Sequence, residues 1–169
     1  MSIKTLIDDI LRREGGFVDH PADRGGATNF GITRETLAEW RGHPVSVEDV
    51  RSLTRDEAGE IYAARYVLAP RFDHIEHGEL AALVVDCGVN HGPARAARWL
   101  QQAADVTPDG IVGPLTLAAV NSLDGAALYR AVLAERCRFY GQLITGDPSQ
   151  AVFAAGWANR VAEFIEETP

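Results

Sequence analysis

Ile3-Lys-Thr-Leu-Ile-Asp-Asp-Ile-Leu-Arg-Arg-Glu-Gly-Gly-Phe-Val-Asp-His-Pro-Ala-Asp-Arg-Gly-Gly-Ala-Thr-Asn-Phe-Gly-Ile-Thr33 is the stretch whose reading decides the fold. In its first part Ile3, Leu6, Ile7, Ile10 and Leu11 recur at the spacing of one helix face, which predicts an amphipathic helix to about Arg13. Gly15 and Gly16 end that helix and leave Glu14 at its last turn, where the chain breaks away from the core. From Phe17 to Thr33 the chemistry is that of turns, with Pro21, Gly25, Gly26, Asn29 and Gly31. Thr28, Phe30 and Ile32 alternate in the manner of a short strand, so a loop and a small β-hairpin are expected.

Downstream the signals are helical. Thr54 and Glu57 have the spacing of a capping box ahead of Ala58, Ile61, Tyr62 and Tyr66. Leu80, Leu83, Val84 and Cys87 form the next stripe, and Pro93 opens a helix bearing Ala96, Ala97, Trp99 and Leu100. Pro114 repeats that arrangement, Asp124 caps a long segment, and Asp147-Pro148 starts the last helix. The expected fold is mainly α with one small hairpin after the first helix. At 169 residues a single domain is expected, with an amino-terminal segment over about 1–68 and a helical lobe over about 79–169.

A net charge of −8 disfavours long-range attraction to nucleic acid or to an anionic membrane surface, so neither is expected as a partner. Lys4, Asp8 and Asp9 interrupt the apolar pattern of the amino terminus, and no window approaches the roughly 20 apolar residues of a membrane span. Synthesis in the cytoplasm without a signal peptide is the expected course, and a monomer is the expected state. Cys87 and Cys137 sit in apolar helical patterns and read as small hydrophobes, with a disulfide between them as the lesser alternative.

Two carboxyl groups in different surroundings are what cleavage of a glycosidic bond generally requires, one to protonate the leaving oxygen and one to handle the cationic centre or a water. Glu14 beside Phe17, partly desolvated, would keep a proton available, and Asp23 in a glycine-rich polar turn would stay ionised. Taken alone, a glutamate in a last helical turn and an aspartate among glycines fit a solvated surface and a turn equally well.

The run Glu14 to Thr33 resembles the opening motif of glycoside hydrolase family 108, the bacterial and phage N-acetylmuramidases. That resemblance implies a lysozyme-like fold and cleavage of the β-1,4 bond between N-acetylmuramic acid and N-acetylglucosamine in peptidoglycan. It implies Glu14, in the Glu-Gly-Gly tripeptide, as catalytic acid, with no cofactor or metal. Phage-type lysozymes show a fainter likeness in the order Glu14, Asp23, Gly26, Thr28, which suggests Asp23 as charge-stabilising or water-orienting carboxylate and Thr28 as a water-placing hydroxyl. Asp19 competes for the second carboxylate. The stretch from Val85 to Gln102, then Asp109 to Thr116, and Gly156 to Val161 look like the family's companion peptidoglycan-binding region. Val67 departs from an expected aromatic, which would weaken a groove contact. A cleft is expected between the first helix with its hairpin and the remaining helices.

Sugar rings present apolar faces to aromatic side chains and hydroxyls to amides, which nominates Asn29, Phe30, Tyr62, Tyr66, Asn90 and His91 as substrate contacts. Core and capping roles compete for each. Asp105, Thr107, Asp109 and Gly110 imitate half a calcium loop, but its twelfth position is Thr116, not a carboxylate. His74 and His77 lack a third spaced zinc ligand. Cys87 and His91 stand four apart, yet an apolar setting is wrong for a nucleophilic thiolate. The rival from another class is a non-catalytic wall-binding protein or secretion helper, which would have no need of an acid at Glu14.

Overall fold

The computed structural model describes residues 2–19 and 26–166. It is a mainly α, lysozyme-like fold with one two-stranded antiparallel sheet among the described residues. Packing divides the chain into two compact units, one of Lys4–Arg65 and one containing the helices that follow.

In the first unit α1 (Ile3–Arg13) buries Leu6, Ile10 and Leu11, the apolar face that its spacing predicts. The Glu14 N–H still donates to the Ile10 carbonyl at 2.9 Å, and Gly15 then takes φ 74, so the helix ends in a left-handed glycine directly after Glu14. Val18 pairs with Thr28 through two 2.8 Å bonds, which brings the chain back beside β1 (Thr28–Asn29). Strand β1 pairs with β2 (Ile32–Thr33) in the register Thr28 to Thr33 and Asn29 to Ile32.

That register leaves Phe30 and Gly31 as a two-residue turn with φ of 51 and 71, as a type I′ hairpin requires. Phe30 therefore lies in the turn and does not continue the strand, a correction to the alternation that its neighbours suggest. The reason is backbone geometry: the second turn position accepts glycine, and strand pairing stops where φ becomes positive.

Two short helices then follow that hydrophobic patterning alone does not single out. Helix α2 (Arg34–Arg41) starts at Thr33, whose hydroxyl accepts from the Thr36 N–H, and α3 (Val47–Arg51) starts at a reciprocal Ser46–Asp49 capping box. Thr54 caps α4 (Arg55–Ala63), but the reciprocal half expected from Glu57 is absent. Its carboxylate is taken instead by a two-pronged pairing with Arg41, at 2.8 and 2.9 Å. Leu6, Leu37, Val50, Ala58 and Ile61 form the core of this unit, each at most 1% exposed.

The second unit is built on α5 (Gly78–His91), buried at every position from Leu80 to Gly88 and packed against α6 (Pro93–Ala103) and α8 (Gly125–Gly146). A helix buried all round belongs in the middle of a bundle. Both prolines stand at the first helical position expected of them, in α6 and in α7 (Pro114–Ser122). Asp147 caps a six-residue 3-10 segment, Pro148–Phe153, before α9 (Ala154–Glu166), so the last helix starts later than Asp147-Pro148 suggests. Val67, in a π-helical turn over Ala64–Leu68, is 5% exposed. The departure expected to weaken a groove contact is thus a core substitution.

Candidate active site

Within Lys4–Arg65 the end of α1, the Phe30–Gly31 turn and α4 meet at one point. A β-carbon placed on Gly31 would lie 2.7 Å from Glu14 Oε2, 3.2 Å from Glu14 Cδ and 2.9 Å from the Tyr62 hydroxyl oxygen. A β-carbon at such distances would force the ends of those side chains to shift, and the φ of 71 by itself favours glycine at position 31. The Glu14 carboxyl group consequently rests against bare backbone. Glu14 is exposed, which differs from the partial desolvation expected beside Phe17. The guanidinium of Arg51 instead covers the Phe17 ring, 4.0 Å from its centroid.

The remaining nominated residues of this unit divide by what their polar atoms hold. Thr28 is half-buried in the strand flanked by Val18 and Thr33. Asn29, on the opposite strand face, is 5% exposed, and its amide nitrogen donates to the carbonyls of Val50 and Arg51 at 3.0 and 3.1 Å. It ties β1 to the end of α3, a scaffolding duty. Tyr62 is 6% exposed, and its hydroxyl donates to the Phe30 carbonyl at 3.1 Å. Phe30 is half-buried at the hairpin tip, in a left-handed conformation that a bulky side chain rarely adopts. Asp19 is exposed, one residue past the Val18 bridge. Asp23 lies outside the described residues.

Tyr66, Asn90 and His91 belong to the second unit. Tyr66 is half-buried in the π-helical turn, and Asn90 is exposed with its amide donating to the Asp86 carbonyl at 2.8 Å. The His91 ring is edged by Trp99, Phe139 and Tyr140, with centroids 5.3–5.4 Å away, and Nε2 stands 3.1 Å from the Tyr140 hydroxyl. Burial, helped by the Arg136 charge, pushes its pKa down to about 4, so the ring is neutral near pH 7.

Beneath it lies a network that patterning did not reveal. Asp86 and Arg136 are both fully buried and joined at 2.6 Å, and Arg160 closes on the other Asp86 oxygen. The Arg136 Nη2 has no hydrogen-bond partner among the described residues. An aspartate inside the apolar run of α5 was the one available signal, since a buried carboxylate demands a cation. Cys87, beside it, is buried and its thiol is pushed up to about 12 by burial, which removes the thiolate alternative. The half calcium loop is occupied by Gln101, whose amide bonds Asp109, Ile111 and Thr116 and accepts from the Gly110 N–H. No group of three potential metal-binding side chains occurs among the described residues.

Comparison with known families identifies the family to which the chain belongs. The family model described as glycosyl hydrolase 108 matches residues 7–92, which takes in Glu14, the hairpin and the whole of α5. The chain belongs to glycosyl hydrolase family 108. A second model, described as a predicted peptidoglycan domain, matches residues 95–162. Among solved structures, one titled "Structure of Brucella abortus SagA" is 32% identical with a TM-score of 0.79, covering 98% of this chain and 92% of that one. No curated protein matches the chain. This family-108 protein is thus a glycoside hydrolase directed at peptidoglycan of the cell wall, which removes the non-catalytic binder as a reading.

Proposed function

We propose that the protein is an N-acetylmuramidase that hydrolyses the β-1,4 bond between N-acetylmuramic acid and N-acetylglucosamine, with Glu14 donating the proton to the leaving oxygen. The observation that carries this reading is the glycine-lined contact at Gly31, which keeps side-chain bulk away from the carboxyl group while leaving it open to a polymer. A glycan strand laid over this exposed carboxyl group excludes water from it. Asp23 is assigned to the opposite face of the sugar as charge-stabilising or water-orienting carboxylate, with Thr28 placing the water.

The protein would act on the wall as a monomer without inserting into the membrane, after assisted release to the periplasm. No helix among the described residues is long and apolar enough to cross a membrane. Mass spectrometry of fragments released from purified peptidoglycan tests the bond: reducing N-acetylmuramic acid ends are expected. Reducing N-acetylglucosamine ends or free stem peptides refute it. Glu14→Gln should lower release by roughly 1000-fold or more, the scale of a lost proton donor, while still sedimenting with the wall.

A further inference from the structure

The turn that faces Glu14 is held in a conformation its own sequence does not favour. Type I′ turns prefer Asn-Gly or Asp-Gly, because the first central residue must accept a left-handed backbone. Here that residue is Phe30, at φ 51, which has no short polar side chain to compensate. Strain of this kind persists only where surrounding structure over-determines it. On one side Asn29 ties the preceding residue to α3. At the turn itself the tether is the hydrogen bond from Tyr62 to the Phe30 carbonyl, 3.1 Å long. Tyr62 is fixed by burial on α4, so its hydroxyl is a rigid post.

We propose that Tyr62 is a positioning residue of the glycosidase: by holding the Phe30 carbonyl it keeps the strained turn closed, and the turn sets where the Glu14 carboxyl group lies. The inference rests on the reading of Glu14 as proton donor. In this role Tyr62 acts through Phe30 and Gly31, the turn to which its hydroxyl is bonded. The proximity of Glu14 Oε2 and the Tyr62 oxygen to one point beside Gly31 ties the three together. Were the tether released, the turn would relax toward the right-handed region that phenylalanine prefers, and the wall behind Glu14 would move.

The test is Tyr62→Phe, which deletes only the hydroxyl, paired with Tyr129→Phe, which deletes a tyrosine hydroxyl that likewise donates to a backbone carbonyl, that of Phe164, at 2.6 Å. Both are assayed on purified peptidoglycan at a temperature where circular dichroism shows each folded. Tyr62→Phe should lower kcat about tenfold with KM within twofold, and Tyr129→Phe should leave both within twofold. In a Phe30→Asn background, where Asn-Gly favours the turn without a tether, the loss from Tyr62→Phe should shrink below threefold. In a Glu14→Gln background Tyr62→Phe should change the residual rate by less than twofold.

A Tyr62→Phe enzyme with kcat within twofold of wild type overturns the proposal, as does an undiminished loss in the Phe30→Asn background. An equal loss in the Glu14→Gln background overturns it too. Full activity of Glu14→Gln alone would refute the assignment of the acid, a separate failure visible before the tyrosine is touched.

Discussion

Replacing Gly31 by alanine separates a cost in stability from a cost in catalysis. The backbone at φ 71 makes alanine unfavourable by about 1 kcal/mol relative to glycine. The new β-carbon would stand 2.7 Å from Glu14 Oε2 and 2.9 Å from the Tyr62 hydroxyl. Tyr62 is held by burial, whereas the Glu14 carboxyl group is the free end of a flexible side chain, so Glu14 is what moves, by roughly 1 Å. A displacement of that size at a reacting group costs on the order of 100-fold in rate. The total loss of stability should stay near 1–2 kcal/mol, a fall in Tm of roughly 2–8 °C for a chain of this length. The assay is release of reducing ends from purified peptidoglycan, well below the melting transition. Gly42→Ala supplies the matched control, since Gly42 has φ 74 and no atom within 4 Å of the place its β-carbon would take. It should lose similar stability and keep full activity. If Gly31→Ala retained more than a third of wild-type kcat, or Gly42→Ala lost as much, the carboxyl group would not be working where it lies.

Asp86→Asn should destabilise the protein by about 3–5 kcal/mol, because it leaves the fully buried Arg136 without its counter-charge, and a urea melt shifting by less than the equivalent of about 1 kcal/mol would contradict this. His91 should make stability depend on pH. Its folded-state pKa is lowered from 6.5 to about 4, so its contribution is complete above 6.5 and is lost as pH falls toward 4, where the unfolded chain takes up the proton first. After discounting for solvent screening this amounts to on the order of 2 kcal/mol. His91→Gln keeps a hydrogen-bonding partner for Tyr140, and its stability should fall less than that of wild type over the same interval. Parallel curves for the two proteins would refute the assignment.

Much of the architecture was legible because it depends on local chemistry. The periodic face of α1, the left-handed Gly15 that ends it after Glu14, the prolines at the first positions of α6 and α7, and the Asp124 and Thr54 caps all act within a few residues of themselves. The misreadings share a different cause. Phe30 alternates correctly for a strand, yet pairing between Thr28 and Thr33 puts it in the turn. Glu57 has the spacing of a capping box, yet Arg41, sixteen residues earlier, outcompetes the cap. Long-range contacts outside those misreadings were equally silent: the Asn29 amide nitrogen and the Tyr62 hydroxyl donate to backbone carbonyls more than twenty residues away.

From sequence alone came the helix that delivers Glu14, the break that follows it, and the motif that marks the family, since periodicity, glycine φ and short motifs need no distant partner. Tertiary structure alone decided that Gly31 and Tyr62 converge on that carboxyl group and that Asp86 is answered by two arginines. Those contacts form between segments far apart in the chain, where burial and competing hydrogen bonds determine which side chain meets which, and no local pattern encodes that outcome.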